Sequence, residues 1–160
     1  MSALDDPAFG YWLAGLIDGE GNFDIHRQRR KYGDYFYCRF EVTLRADDGG
    51  ILEMCRERLG GKVYDGKPPK SGKGSPKKRW ELVARAEVSR LAELLDRFPL
   101  QSKKGADFDV WKQALAVSCA SPGRNRPDLM LPFWLRLRAL RAYKGPVSKA
   151  TAFRAPEVVA

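Results

Sequence analysis

Two carboxylates, Asp18 and Glu20, stand at the end of an apolar stretch, where a helix gives way to alternating residues. Residues two apart on a helix do not face each other, so we expect these two carboxylates not to hold one ion together. One carboxylate with water and phosphate oxygens is a ligand set typical of Mg²⁺ in phosphodiester hydrolysis. Two copies of this segment side by side would supply two carboxylates to one centre.

The scarcity of histidine and cysteine narrows the chemistry. His26 is the single histidine, so a histidine-rich zinc centre is excluded and any histidine-based triad would have to use this residue. The three cysteines are isolated and form no CxxC pair, which is typical of reduced thiols in an intracellular protein. Hard oxygen ligands without such a cluster favour Mg²⁺ over zinc.

The charge balance indicates a polyanionic partner. There are 29 Lys and Arg against 20 Asp and Glu, a formal net charge of +9 on 160 residues. Nucleic acid and anionic membranes both fit this excess, and solubility alone is a third explanation. No apolar run reaches the roughly 20 residues of a membrane span, and the acidic N-terminus is unlike a signal peptide. We therefore expect an intracellular protein without a membrane partner.

The pattern of apolar residues predicts an α+β fold. Asp6 and Pro7 begin a helix that is apolar nearly all round, and an alternating hairpin with a turn around Gly33-Asp34 follows it. The remaining elements expected are helices over about 47–59, 87–98 and 103–119, a second hairpin joining 62–64 to 79–83, and a basic helix after Pro127. The order is αββαββα followed by extra helices.

The segment Leu13–Glu20 resembles the signature of the LAGLIDADG homing endonucleases. Its first six residues match the motif outright, while Gly19 replaces Ala and Glu20 replaces the last Asp, so a small residue and a carboxylate are kept. Weaker resemblances follow at residues 42–48, 59–61 and 98–104, and together they cover about residues 8–119. The resemblance implies a saddle-shaped antiparallel sheet that lies in the major groove of double-stranded DNA.

The same resemblance implies residue roles. Glu20 would be catalytic and would hold Mg²⁺ with the backbone carbonyl of Gly19, and Mn²⁺ or Ca²⁺ could occupy the same sites. A lysine near the active site corresponds best to Lys104, with Lys103 as the second choice. The family's water-orienting residue has no clear counterpart among Leu44, Arg45 and Asp47. No small-molecule cofactor is expected.

For a chain with a single copy of the motif, the resemblance implies a homodimer that cuts a near-palindromic site with a staggered double-strand break, as in intron homing. Gly15 and Gly19 share one helical face, which would let two helices approach closely. The interface is expected at Trp12, Leu13, Gly15, Leu16 and Gly19. The alternatives are a non-cleaving nucleic-acid binder, either an intron RNA maturase or a DNA-binding regulator, and a structural protein whose charge is incidental.

Strand alternation predicts which side chains leave the core and face DNA. They are Asp24, His26, Gln28, Arg30, Tyr35, Tyr37, Arg39, Glu41, Thr43, Lys62, Tyr64, Arg79 and Glu81. The loop of the second hairpin adds phosphate-binding candidates, for which a merely solvated loop is the alternative. These are Lys67, Lys70, Lys73, Lys77 and Lys78. A smaller basic group, residues 27–31, lies at the first hairpin tip.

The chain is expected to be a single endonuclease domain over residues 1–145, followed by a tail. Its core would span residues 7–120 and its C-terminal helical extension residues 121–145. The tail would span residues 146–160.

Overall fold

The fold follows the expected order of elements. The computed structural model describes residues 2–121 and 126–142. Its elements are α1 (Pro7–Glu20), β1 (Gly21–Arg30), β2 (Gly33–Arg45), α2 (Gly49–Leu59), β3 (Lys62–Asp65), β4 (Lys77–Leu82), α3 (Arg85–Arg97), α4 (Lys104–Ala120) and α5 (Pro127–Arg141), with short 3-10 helices at Ala3–Asp5 and Ala46–Asp48. The αββαββα order is confirmed for α1 to α3, and α4 and α5 are the extra helices that follow it.

Helix α1 begins as its sequence predicts. Asp6 is the N-cap, and its Oδ1 accepts a hydrogen bond from the backbone N–H of Phe9 at 3.1 Å. Pro7 occupies the first turn, where its missing N–H costs nothing. The helix continues through Glu20, one half-turn beyond Asp18, and ends where the backbone N–H of Gly21 donates to the carbonyl of Ile17.

The first hairpin carries one correction. Arg30 pairs with Gly33, so the turn consists of Lys31 and Tyr32 and not of Gly33-Asp34. Gly33 has φ +129°, a conformation that residues with a side chain rarely adopt. This backbone conformation lets the chain turn back at Gly33, where β2 begins. Asp34 already belongs to β2, where its carboxylate accepts from Arg27 Nε at 2.9 Å.

The four strands form one antiparallel sheet in the order β1-β2-β4-β3. Phe23, Phe40, Val42, Trp80 and Leu82 are all buried on the face that meets the helices. The alternate residues form the opposite, polar face. A one-residue slip of any strand would exchange the two faces, so the buried set fixes the register.

Two indole groups attach helical segments to this sheet. Trp111 on α4 donates from Nε1 to the carbonyls of Asp24 and Arg39, at 3.2 and 3.1 Å, and so bridges β1 and β2. Trp80 on β4 donates to the carbonyl of Gly60 at 2.9 Å, at the end of α2. Both side chains are fully buried, so each indole N–H has the partner that burial requires.

Helix α5 packs on α4 and on the first two strands. Met130 and Leu137 are its buried residues, and Pro127, which was expected to precede the helix, is its first residue. The expected tail, residues 146–160, and the expected domain end at residue 145 lie outside the described residues. Within the two described ranges, no helix is both long enough and apolar enough to cross a membrane.

Gly61 gives a stability test. It has φ +85°, and a Cβ built there would lie within 3 Å of the carbonyl oxygen of Glu81. Gly61→Ala is expected to cost roughly 3 kcal/mol because strain and collision add. Gly72→Ala, at φ +65° with open space around it, is the matched control and should cost about 1 kcal/mol. Urea unfolding measures the free energy of unfolding of both variants. Equal losses of stability in the two variants would contradict an added cost of collision at Gly61.

Candidate active site and nucleic-acid interface

The two carboxylates at the end of α1 have different surroundings. Asp18 accepts hydrogen bonds from the backbone N–H groups of Gln101 and Ser102, both at 2.9 Å. Its two oxygens therefore hold the segment that leads into α4. Glu20 is the last residue of α1 and is exposed. One carboxylate is thus structural and the other is available to a ligand.

Lys104 lies beside this helix end. Its Nζ donates to the carbonyl of Gly19 at 2.9 Å and to that of Ile17 at 3.2 Å. Burial lowers the pKa of Lys104 below its usual value, opposed by the charges of Glu20 and Asp18. Of the two lysines predicted for the site, the structure therefore brings Lys104 to the end of α1, whereas Lys103 is exposed at the N-cap of α4.

The oxygens at the end of α1 fit a hard divalent cation. The last carbonyls of a helix lack helical partners and carry partial negative charge. The Lys104 ammonium group, which donates to the Gly19 carbonyl, shows that a positive charge is accommodated beside these oxygens. The described residues contain no group of three or more His, Cys, Asp or Glu that could hold a metal ion. One chain therefore offers Glu20 and the Gly19 carbonyl, which is an incomplete set.

One side of α1 is open. Gly15 and Gly19 are exposed, and an added Cβ at either position would meet nothing within 4 Å. Trp12 is 38% exposed, and Leu16 is partly buried. Leu13 was also expected at a subunit interface, but it is fully buried in the core of its own chain. That expectation was wrong because Leu13 belongs to the buried core cluster of its own chain.

The predicted DNA-reading residues form one continuous polar face. Across β1 and β2, the register places Asp24 opposite Arg39, His26 opposite Tyr37, and Gln28 opposite Tyr35. Across β2, β4 and β3, Glu41 and Lys62 both lie opposite Glu81, while Thr43 and Tyr64 both lie opposite Arg79. Arg30 extends this face at the hairpin tip, next to Gln28. The residues that strand alternation predicted to leave the core therefore lie together on one face of the sheet.

The lysines of the second hairpin divide into two groups. Lys67, Lys70 and Lys73 are exposed in the loop between β3 and β4, and Lys77 shares the side of Arg79 on β4. Lys78 lies on the opposite side, against Gly49, with its Nζ 3.6 Å from Asp65. Lys78 therefore does not share the polar face with Lys77 and Arg79, since adjacent strand residues point to opposite faces.

A charge network occupies the middle of the polar face. The guanidinium of Arg39 lies 2.8 Å from Asp24, 3.5 Å from Glu81 and 4.0 Å from Glu41. One oxygen of Glu41 and the Nε atoms of Arg39 and Arg79 are buried and have no hydrogen-bond partner among the residues that the structure describes. The partly exposed remainder of this network carries both donors and acceptors, as the edges of nucleic-acid bases do.

Two residues near the site were not predicted from the sequence, Asn22 and Arg141. Asn22 lies on the polar face, where its Nδ2 donates to Glu41 at 3.0 Å, and extending the alternation by one step would have found it. Arg141 on α5 donates to Asn22 Oδ1 at 2.9 Å and lies 3.7 Å from Asp24. No local pattern predicts this contact, because it depends on how α5 packs against β1.

Comparison with known sequences gives consistent matches. Residues 13–115 match the model of the LAGLIDADG endonuclease family. A probable intron-encoded endonuclease, Cox1-I1b of Schizosaccharomyces pombe, is 28% identical over 112 residues, which are 69% of this chain and 28% of the relative. The intron-encoded RNA maturase bI4 of Saccharomyces cerevisiae is 36% identical over 55 residues, 34% of this chain and 8% of the relative. The chain thus spans less than a third of these relatives.

Solved structures share the fold. The homing endonuclease I-TnaI aligns with a TM-score of 0.67 at 21% identity, over 82% of this chain and 94% of that chain. The meganuclease I-AabMI, bound to uncleaved DNA, aligns with a TM-score of 0.65 at 26% identity, over 81% of this chain and 43% of that chain. With the motif helix, the four-stranded sheet and the family match over residues 13–115 in agreement, the chain belongs to the LAGLIDADG endonuclease family.

Proposed function

We propose that this chain is one subunit of a homodimeric homing endonuclease, which binds a long near-palindromic DNA site and makes a staggered double-strand break with Mg²⁺. The observation that carries the proposal is the free carboxylate of Glu20, exposed at the end of α1 beside Lys104. The polar sheet face supports double-stranded DNA as the partner.

The open side of α1 supports pairing of two chains. Small residues allow two helices to approach closely, and Gly15 and Gly19 offer such a surface. Each chain brings one free carboxylate, so a dimer brings two to its axis. A twofold dimer presents the same surface twice and so reads a near-palindrome.

At the active site, Glu20 and the Gly19 carbonyl would hold Mg²⁺, and Mn²⁺ or Ca²⁺ fits the same oxygens. An ion held there would supply Lewis-acid chemistry toward the phosphate. Lys104 places a positive charge beside these oxygens and donates hydrogen bonds there. Because burial lowers the pKa of Lys104, it gives up a proton more readily than an exposed lysine does. This suits it to polarise the water network around the scissile phosphate.

The second candidate function is a nucleic-acid binder that does not cleave, such as an intron RNA maturase. It is favoured by the 36% identity with maturase bI4. The two functions separate in one experiment, selection of cleaved sequences from a randomised DNA library with Mg²⁺. Recovery of a defined near-palindromic site supports the endonuclease, whereas no metal-dependent cleavage of any sequence contradicts it.

Replacing Glu20 by Gln removes the charge that would hold the metal and leaves the sheet unchanged. Glu20→Gln is expected to lower the cleavage rate of the selected site about 10³-fold while affinity for DNA stays within about threefold. Glu57→Gln, an exposed carboxylate on α2, is the control and should cut normally. Single-turnover cleavage and gel-shift titration provide the two readings, and full cutting by Glu20→Gln contradicts the site assignment.

The two neighbouring lysines form a matched pair. Lys104→Met is expected to lower the single-turnover rate about 10²-fold because Lys104 contacts the helix end, whereas Lys103→Met should stay within about threefold of wild type. Both variants lose the same charge, so any general effect on DNA affinity is shared. Equal losses of rate would refute a specific role for Lys104.

A methyl group on the open side of α1 tests the pairing of subunits. Gly15→Ala should raise the helix stability of the single chain by about 0.5–1 kcal/mol, yet weaken self-association about tenfold or more because the helices are held apart. Gly50→Ala, an exposed glycine on α2 with equally open space, controls for the helix effect and should leave association unchanged. Sedimentation equilibrium measures the self-association of both variants. Unchanged association of Gly15→Ala speaks against this interface.

A further inference from the structure

Helix α5 presents a row of side chains along the free edge of the sheet. Trp134, Arg138 and Arg141 are spaced four and three apart, so they share one helical face. Trp134 packs edge-on against Phe36 of β2, and the Arg138 guanidinium lies 4.7 Å from the Trp134 ring centre. Arg141 reaches Asn22 at the start of β1. The helix therefore runs antiparallel to β1 and points its C-terminal end toward Glu20.

An open groove of about 490 Å³ separates α5 from β1. Its lining includes Arg27 and Arg29 from the strand and Trp134 and Arg138 from the helix. Strand β1 pairs only with β2 among the described strands, so one side of its backbone borders the groove. The groove is thus lined by guanidinium groups and the Trp134 ring, together with Asp24 and His26 of β1.

The charges in this row are not all neutralised within the chain. Arg27 is held by Asp34 and contacts Trp134. In contrast, Arg29 and Arg138 contact no carboxylate within the described residues. Arg141 shares Asp24 with Arg39, which lies closer to that carboxylate, at 2.8 Å against 3.7 Å. A row with more positive than negative charge favours a polyanion.

The position of the row selects the kind of polyanion. Asn22 is two residues from Glu20, so Arg141 lies near the carboxylate proposed for cleavage. The row follows the free edge of the sheet and reaches the polar face only at Arg141, which contacts Asn22. A position along the edge is suited to a phosphate backbone. A helix C-terminus by itself repels phosphate, so the arginine side chains must supply the attraction.

We propose that Arg29, Arg138 and Arg141 form a phosphate-binding edge that holds the backbone of the DNA beside the sheet, with Arg141 nearest to the scissile phosphate. The edge assigns a role to α5, which lies entirely beyond residues 13–115, the part of the chain that matches the family. It rests on the proposed function, since the ligand is the DNA that the sheet binds.

The test counts phosphate contacts through their salt dependence. Binding of a random-sequence DNA duplex is measured from low to moderate salt for the wild type, Arg138→Gln, Arg141→Gln and Arg141→Lys. Each lost phosphate contact lowers the slope of log affinity against log salt by about 0.9, so both Gln variants should lose about that amount and Arg141→Lys should keep the wild-type slope. Thermal melting checks that the variants are folded.

Arg136→Gln is the matched control. Arg136 is on the same helix and carries the same charge, but it lies over Phe133 and near Gln113, away from the groove. Its slope should equal that of the wild type.

Three results overturn the proposal. The first is an equal change of slope in Arg136→Gln, which would mean that the slope reports the total charge of the helix and not contacts made by the row. The second is a wild-type slope in both Gln variants. The third is a loss of affinity by those variants for an RNA hairpin with DNA binding unchanged, which assigns the groove to RNA. If the wild type binds no DNA at all, the proposed function fails as well, and this outcome is distinct from a failure of the edge alone.

Discussion

The carboxylate of Asp18 joins the two segments on which the candidate active site depends. It accepts the backbone N–H groups of Gln101 and Ser102, and these residues lead directly into α4. Lys104 follows two residues later and reaches back to the carbonyl of Gly19. An aspartate that is used in this way cannot also bind a ligand freely. The motif therefore divides its two acidic positions between holding the site together and presenting a charge to solvent.

The sheet imposes the second constraint. Trp111 donates to carbonyls on both β1 and β2, so α4 fixes these strands at the same point where it carries Lys104 toward α1. Slipping β1 by one residue would move Phe23 and Ile25 out of the core, which the burial of both side chains opposes. The polar face and the helix end are consequently held in one relative position by a shared core.

Periodicity predicted what depends on neighbours along the chain. The start of α1 at Asp6 and Pro7, the alternation of β1 and β2, and the order of elements follow from local rules and were confirmed. Local rules could not separate Lys103 from Lys104, because adjacent helical residues point about 100° apart and only packing decides which faces the site. The same limit explains Leu13, which faces the core of its own chain, and Arg141, whose partner lies on a distant strand.

The open side of α1 and the incomplete ligand set have one common explanation under the proposed function. For a single chain, glycine at positions 15 and 19 is a loss, because alanine would fit the open space and favour the helix. A single chain also gains nothing from a helix that ends in one exposed carboxylate, since one carboxylate and one carbonyl bind a divalent ion weakly. Pairing of two such helices would use both features at once. The glycines would let the two backbones meet, and this contact would bring the second carboxylate.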